Sequence, residues 1–170
     1  MSARNPSRAP SSPHGTQSWL AVVRAYNLCD AVMTARLAEL GLRVGEHEVL
    51  ATLATVPGIT QQELAARCFV AKSGVSMLLT QMEGKALVVR EADPADARIR
   101  RLFLTPAGQA LAAKTLKVQF DVVATMVEGA TEAELAAVTT VMQHASQRLE
   151  ALRDGLIAGT ALAASGRLSR

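Results

Sequence analysis

Charged side chains cluster between two short apolar runs in VVREADPADARIRRLFLT, the stretch from Val88 to Thr105. The apolar runs predict the two strands of a hairpin, and ADPAD contains residues that turns prefer. The predicted tip carries five charged residues, Asp93, Asp96, Arg98, Arg100 and Arg101. An arginine at such a tip can enter a narrow minor groove of DNA, where the negative potential is strongest. A neighbouring aspartate can pair with the guanidinium and fix the shape of the tip.

The spacing of the arginines predicts which of them share a side of the hairpin. In an extended strand Arg98 and Arg100 point to one side and Arg101 to the other. Arg98 and Arg100 are therefore the candidate DNA contacts of the tip. Taken alone, the same residues are explained equally simply by a solvated turn that keeps a hairpin soluble.

Two short predicted helices precede the hairpin. In ITQQELAARC, Thr60 and Glu63 have the spacing of a capping box, which predicts a helix over about 61–67. KSGVSMLLTQMEGK predicts a second helix over about 72–85, in which Val75, Leu78, Leu79 and Met82 form the buried stripe. Small polar residues and one lysine dominate its other face, which suits close approach to a partner. That face carries Lys72, Ser73, Ser76, Met77 and Thr80.

The order of these elements is more specific than any one of them. Two helices joined by a tight turn indicate a helix-turn-helix, although ordinary helix packing gives the same pattern. A helix-turn-helix followed at once by a hairpin is the pattern of a winged helix. In a winged helix the second helix enters the major groove of DNA and the wing reaches toward the neighbouring minor groove.

Three longer helices are predicted around this unit. The first covers about 17–40, the second runs from Thr105 as N-cap to about Glu128, and the third ends near Leu156. Their apolar stripes exceed what a small winged unit can cover, and the simplest partner is a second copy of the chain. The sequence thus predicts a mainly α fold, a winged helix-turn-helix with a two-stranded β wing, flanked by long dimerisation helices.

These elements divide the chain into five expected segments. They are a disordered N-terminal tail at 1–15, the N-terminal helix of the dimerisation region at 16–44, the winged helix-turn-helix at 45–105, C-terminal dimerisation helices at 106–158 and a flexible tail at 159–170.

Composition narrows the class of protein. The 170 residues are 49% hydrophobic but 3% aromatic, which favours helices packed on helices. A net charge of +3 permits a polyanionic partner without requiring one. The N-terminal stretch MSARNPSRAPSSPHGTQ has no apolar segment of the kind found in signal peptides, and no apolar run is long enough to span a bilayer. We expect a cytoplasmic protein without a membrane partner.

The DPADAR segment, followed six residues later by LTPAG, together with the order of elements, resembles the multiple-antibiotic-resistance regulator (MarR) family. The resemblance covers about 44–111 by motif and the remainder by helix layout. It implies that Asp96 and Arg98 are the wing aspartate and the minor-groove arginine. It also implies a groove-facing helix side made by Lys72, Ser73, Ser76 and Thr80. A member of this family is a homodimer that binds double-stranded DNA, usually as a repressor, and leaves it when a small, often aromatic, ligand or an oxidant arrives.

Three positions depart from the family pattern. Many members have serine or threonine where this chain has Ala71, arginine or another polar residue where it has Met77, and arginine where it has Gln81. Each missing arginine removes a potential phosphate contact, so DNA binding can be weaker or directed to an unusual site. Arg4 and Arg8 in the N-terminal tail can compensate, although such tails are more often inert. An alternative is a ligand-binding or protein-interaction dimer whose specific DNA binding is weak or lost.

Other reactive residues give weaker signals. Cys29 is a possible redox residue by resemblance, although a buried structural thiol is the more common case, and Cys68 fits core packing. Trp19 and Tyr26 lie seven residues apart on one helix face, where they could border a ligand cavity or serve as core or dimer contacts. His14, His47 and His144 have no ligand-spaced partners, so no metal is expected. No catalytic constellation and no cofactor motif is present, which argues against an enzyme.

Overall fold

The computed structural model of the protein describes residues 13–68 and 72–165, so the predicted tail contacts Arg4 and Arg8, and also Ala71, lie outside the described residues. The described residues form helices α1 to α6 and one three-stranded antiparallel sheet. They fall into a first compact unit that ends at Met126 and a second that begins at Val127. Among the described residues, no helix combines the length and the apolar character needed to cross a membrane.

Helix α1 spans Pro13–Ala38. It begins before the expected position near Gln17, so the predicted disordered tail at 1–15 is wrong for its last residues. Proline is tolerated at the first helical position because its missing N–H has no partner there in any helix. The predicted stop at Gly41 is confirmed, since this glycine has a φ of 70° and the N–H of Leu42 donates to the carbonyl of Leu37 over 3.1 Å.

The helix pair follows α2, Val44–Thr55, and consists of α3, Gln61–Arg67, and α4, Lys72–Gly84. The predicted capping box at the start of α3 is confirmed. The backbone N–H of Glu63 donates to Thr60 Oγ1 over 3.2 Å, and the carboxylate of Glu63 accepts the backbone N–H of Thr60 over 2.7 Å.

The sheet contains one strand more than expected. Strands β2, Val88–Ala92, and β3, Arg100–Leu104, form the predicted hairpin. Strand β1, Ile59–Thr60, adds to the other edge of β3, which gives the order β1-β3-β2. Gly58 makes this possible because its φ of 78° turns the chain and its N–H donates to the carbonyl of Leu102 over 2.9 Å.

The core lies between α2, α3, α4 and the sheet. Its largest apolar side chains from these elements, all less than 2% exposed, are Val49, Leu50, Leu53, Leu64, Val75, Leu79, Met82 and Leu102. The predicted stripe of α4 is confirmed, with Leu78 half-buried at its margin. This packing fixes which side of α4 faces outward.

Helix α5, Pro106–Met126, joins the winged unit through Thr105. The hydroxyl of Thr105 accepts the backbone N–H of Gly108 over 3.0 Å, as predicted for an N-cap, and donates to the carbonyl of Ala86 over 2.6 Å. A Cβ at Gly108 would lie 2.0 Å from the carbonyl oxygen of Leu87. This position therefore admits only glycine.

The second unit consists of α6, Glu132–Ser165. A capping box begins the helix, since the N–H of Glu134 donates to Thr131 Oγ1 over 3.3 Å and the carboxylate of Glu134 accepts the N–H of Thr131 over 2.8 Å. The helix continues past the expected end near Leu156, so the flexible tail predicted at 159–170 is wrong up to Ser165. Alanine-rich sequence sustains the helix there because alanine has the highest helix propensity. Residues 166–170 lie outside the described part of the chain.

Candidate nucleic-acid interface

The outward side of α4 is the first element of the candidate interface. Ser76, Met77, Thr80 and Gln81 are exposed on it, opposite the buried stripe. Lys72 and Ser73 begin the helix, but their side chains lie outside the described part of the structure. Of the four polar residues predicted to face DNA from this helix, Ser76 and Thr80 are thus placed on one exposed face.

The hydroxyl of Thr80 is engaged within the helix. It donates to the backbone carbonyl of Ser76 over 3.0 Å. Its proton is therefore already used, and the side chain retains its methyl group and the oxygen lone pairs for an outside partner. This hydrogen bond changes what Thr80, predicted to be a polar DNA contact, can offer to the DNA.

The wing tip holds Arg98 in a fixed orientation. Its Nε and Nη2 atoms each donate over 3.1 Å to the two carboxylate oxygens of Asp96, which also accepts the backbone N–H of Arg98. The guanidinium lowers the pKa of Asp96 below its usual value and keeps the carboxylate charged. The Arg98 side chain remains 91% exposed, so this bidentate pair presents it to solvent beyond the sheet.

Arg98 and Arg100 do not share a strand. Arg98 lies in the turn that precedes β3, whereas Arg100 is the exposed first residue of β3 and pairs with Ala92. The expected alternation of Arg98 with Arg100 is therefore wrong, because the strand begins only after the turn. Arg100 and Arg101 are successive residues of β3, so their side chains point to opposite sides of the strand. The Arg101 side chain points toward the turn before β1, where it contacts the Gly58 carbonyl.

Asp93 organises the base of the wing, a role that the sequence analysis missed. This aspartate is 8% exposed and accepts the backbone N–H groups of Ala95, over 2.7 Å, and Asp96, over 3.2 Å. It also accepts from Arg101 Nε, while Arg101 Nη1 donates to the carbonyl of Gly58 over 2.8 Å. The Ala95 hydrogen bond and the Arg101 guanidinium lower the pKa of Asp93, so the wing base is held by a charged pair.

The start of a turn is where aspartate most often bonds its own backbone, and that signal was present in the sequence as DPAD. The hydrogen bond between Arg101 and the Gly58 carbonyl had no such local signal, since these two residues are 43 positions apart in the chain. The hydrogen bond from Arg101 ties the wing to the turn that leads into α3.

Two further ion pairs hold the platform together. Arg90 of β2 lies 3.2 Å from Glu83 near the end of α4. Lys85 lies 2.5 Å from Glu46 of α2, which is 3% exposed. Burial works to raise the pKa of Glu46, but hydrogen bonds from Lys85 and from the Arg43 backbone outweigh it, so the pKa is lowered. Helix α4 is thereby linked to both the wing and α2.

A cavity of about 280 Å³ lies between the winged unit and the helices α1 and α5. Its polar and sulfur-bearing lining residues are Cys29, Met33, His47, Glu48, Thr52, Arg67, Cys68 and Gln119. His47 is 5% exposed, and its Nδ1 atom has no hydrogen-bond partner. Burial lowers the pKa of His47, and a hydrogen bond with Gln119 opposes that shift. The cavity therefore offers a neutral imidazole and a guanidinium to a small molecule.

The aromatic and cysteine residues considered for ligand binding or redox chemistry lie in different environments. Tyr26 borders a smaller cavity of about 180 Å³ together with Cys29, whereas Trp19 does not line it. Both aromatic side chains are more than 60% exposed, at 62% for Trp19 and 67% for Tyr26. Cys29 is half-buried, and Cys68 is buried, which raises the pKa of its thiol. Cys68 thus has the surroundings of a structural thiol.

Within the described ranges, no group of three or more His, Cys, Asp or Glu side chains is placed to hold a metal ion.

Comparison with known proteins gives one family. A family model described as the MarR family matches residues 40–99. An HTH-type transcriptional regulator of Bacillus cereus is 29% identical over 105 residues, which are 62% of this chain and 69% of the relative. A putative transcriptional regulatory protein for the hcr operon of Thauera aromatica is 38% identical over 73 residues, 42% of this chain and 44% of the relative.

Solved structures give the same result. A MarR-family transcriptional regulator from Silicibacter pomeroyi has a TM-score of 0.67 and 26% identity, with 77% of this chain and 88% of that chain covered. A mutant of MarR from Escherichia coli in complex with operator DNA has a TM-score of 0.64, 20% identity and coverage of 74% and 90%. Bordetella bronchiseptica BpsR, described with regulation of its DNA binding by 6-hydroxynicotinic acid, has a TM-score of 0.66, 21% identity and coverage of 76% and 98%.

The helix pair, the wing and these likenesses define a winged helix-turn-helix transcriptional regulator, not an enzyme. Over residues 40–99 the chain matches the MarR family, which is the family that its wing sequence and element order resemble.

Proposed function

We propose that the protein is a homodimeric repressor that binds a roughly palindromic operator and is released from it by a small molecule. The observation that carries the proposal is the exposed Arg98 guanidinium, fixed on Asp96 at the wing tip. Fixing a free arginine side chain on DNA binding would cost conformational entropy. The bidentate pair with Asp96 already orders the Arg98 side chain before DNA binds. An arginine presented in this way suits insertion into a narrow minor groove.

The proposed DNA contacts come from two elements of one platform. Helix α4 would enter the major groove with Lys72, Ser73, Ser76 and Thr80. The wing would contribute Arg98, with Arg100 beside the phosphates and Asp96 as the bracket of Arg98. The two ion pairs that tie α4 to β2 and α2 support this proposal, because base contacts need a rigid element behind them.

Exposed apolar faces support the proposed dimer. In the first unit, α1 and α5 border an open apolar groove of about 530 Å³, and α5 leaves Phe120 72% exposed. In the second unit, Leu149, Leu152 and Leu156 of α6 are each at least 60% exposed. A single chain does not normally leave this much apolar surface in water. Residues 16–44 and 106–158 would thus form the dimerisation region and 45–105 the DNA-binding region.

Release by a ligand would act through the 280 Å³ cavity between α1, α2 and α5. A small molecule bound there touches helices of the proposed dimerisation region and α2 of the DNA-binding region. It shifts the protein away from DNA only if it binds the DNA-incompetent arrangement more tightly. The regulation of BpsR by 6-hydroxynicotinic acid is a fact about that protein, and it supports small aromatic acids as the first compounds to test here.

Replacement of Arg98 by alanine tests the proposal. The operator would first be recovered by selection from a random duplex library, and affinity then measured by fluorescence anisotropy across a salt series. Arg98→Ala should weaken operator binding about tenfold or more while the dimer persists, since it removes the proposed minor-groove contact. Lys114→Ala removes one positive charge from the exposed side of α5 and should change binding much less. Wild-type affinity in the Arg98 variant would refute the wing contact.

A second function remains open because of the centre of the α4 face. Met77 is 65% exposed where a polar or basic side chain would be expected on a DNA-contacting helix. A dimer that binds a ligand or a protein without sequence-dependent DNA affinity would be consistent with that residue. The same library selection separates the two functions, because this alternative predicts that no sequence is enriched.

A further inference from the structure

Met77 lies on the outward side of α4, opposite the buried stripe. With about 100° between successive residues, it lies about 140° to 200° around the helix from Val75, Leu79 and Met82. Those three side chains have no exposed surface, whereas Met77 is 65% exposed. If α4 enters a groove, the Met77 side chain points directly at its floor.

The surroundings of Met77 are poor in charge. Within 74–84 the only charged residue is Glu83, and it pairs with Arg90 of β2. One turn further along, Thr80 uses its hydroxyl proton on the Ser76 carbonyl and retains its methyl group and the oxygen lone pairs. The centre of the proposed groove-facing surface therefore includes an apolar spot made by the thioether of Met77 and the methyl group of Thr80.

The floor of the major groove offers one apolar group that can match such a spot. The C5-methyl of thymine distinguishes pairs that contain thymine from G·C and C·G, and its position across the groove distinguishes T·A from A·T. We propose that Met77 contacts the C5-methyl of one thymine in each half-site and makes that base pair a specificity position. The inference rests on the proposed function, since it requires α4 to lie in the major groove.

This proposal gives Met77 a role in DNA recognition. An arginine at this position would contact guanine or phosphate, so the lack of an arginine suggests weaker DNA binding. A thymine contact instead replaces a polar readout with an apolar one. The contact removes the Met77 thioether and the thymine methyl from water together. This burial favours thymine over a base that lacks the methyl group.

Deoxyuridine provides the test, because it differs from thymidine only by this methyl group. With the selected operator, each thymine of a half-site would be replaced in turn, symmetrically in both halves, and the affinity of wild-type protein measured. One thymine should show a loss of about tenfold to twentyfold on symmetric replacement, since burial of one methyl group contributes about fourfold in each half-site. Adding the methyl back, as 5-methylcytosine against cytosine at that position, should recover part of the affinity.

Variants show whether Met77 is the residue responsible. Met77→Ala should bind the thymine and deoxyuridine operators equally. Gln81→Ala changes a neighbour on the same exposed face and should preserve the ratio between the two operators, even if its overall affinity falls. If Met77→Ala retains the full discrimination, another side chain reads the methyl group and the inference is wrong.

The outcomes also separate this inference from the function beneath it. An operator whose binding depends on Arg98 but tolerates deoxyuridine at every thymine overturns the role of Met77 and leaves the repressor proposal intact. A selection that enriches no sequence overturns both.

Discussion

Apolar side chains are buried in the winged unit, which comprises α2, α3, α4 and the sheet, whereas many of them are exposed on the long helices α1, α5 and α6. Leucine, valine and methionine residues of α2, α3, α4 and β3 form a core in which the bulkiest members are less than 2% exposed. The long helices carry as many apolar residues, yet Leu28 of α1, Phe120 of α5 and Leu152 of α6 are each about 60% exposed or more. One chain is therefore sufficient to complete the winged unit but not to cover its long helices.

This difference separates two sources of stability. The winged unit depends on contacts within the chain, so changes there should affect each chain regardless of concentration. In the proposed dimer the long helices are covered by the second chain, so changes on their apolar faces should affect association first. Three experiments can break this division or sharpen it.

The largest effect is expected where α5 leaves the winged unit. Gly108→Ala places a methyl group 2.0 Å from the carbonyl oxygen of Leu87, and backbone on both sides resists the shift needed to relieve the overlap. We expect a loss of more than about 4 kcal/mol in the free energy of unfolding per chain, the range of the most severe single substitutions. Urea denaturation at fixed protein concentration measures it.

Gly84→Ala is the matched control, because a Cβ at Gly84 meets no atom within 4 Å. It lies in α4 and should be neutral or stabilise by up to about 1 kcal/mol. Equal effects of the two substitutions would show that the join between α5 and the winged unit is loose, contrary to the division drawn above.

Local signals account for the parts of the fold that the sequence predicted. The capping pair Thr60 and Glu63, the stripe of α4 and the N-cap Thr105 are each readable within a few residues of the chain. The extra strand β1 was missed because it is only two residues long and borders the capping sequence. The end of α6 was missed because GTALAASG contains glycines that suggested fraying, although its alanines sustain the helix.

The second effect concerns the partner that the long helices need. Leu152→Glu puts a carboxylate in the middle of the exposed apolar stripe of α6. Burying a leucine contributes about 1.5–3 kcal/mol, so each chain should lose about that much of the free energy of association. Sedimentation equilibrium would then show a shift from dimer to monomer. Gln147→Glu adds the same charge on the opposite face of α6 and should leave the dimer unchanged.

An unchanged dimer in the Leu152 variant would mean that the stripe of α6 is not the proposed interface. The groove between α1 and α5, with Leu28 and Val32 on its wall, would then be the next surface to test.

The candidate site shows the same limit of sequence reasoning. The pairing of Asp96 with Arg98 was predictable because two residues separate them. The contact of Arg101 with the Gly58 carbonyl was not, since it depends on a strand pairing across 43 residues. The cavity and its orphaned His47 nitrogen were also out of reach, because their walls come from four separate helices. Residue roles that depend on contacts local in sequence can be predicted from the sequence, whereas roles that depend on tertiary packing cannot.

The smallest effect should appear at His47, where the two regions meet. His47 belongs to α2, and its partner Gln119 belongs to α5. Burial lowers the pKa of His47 below the ordinary value of 6.5, so the folded chain binds this proton less readily than the unfolded chain. The unfolded state then takes up more protons as the pH falls below about 6.5, and stability must fall with it until the folded-state pKa is passed.

His47→Gln removes this titration. Between about pH 7.5 and pH 5.5 the wild type should lose about 1 kcal/mol of unfolding free energy relative to the variant, within the limit of about 1.4 kcal/mol per pH unit set by one proton. Glu48, Arg67 and the two cysteines share the cavity and are identical in both proteins. His144→Gln on the exposed surface of α6 is the matched control, because it replaces a histidine that does not line this cavity. If His47→Gln and wild type keep a constant difference across this range, water already reaches the imidazole in the folded chain. The boundary between the winged unit and the long helices would then be open, and a small molecule would enter the cavity without displacing packed side chains.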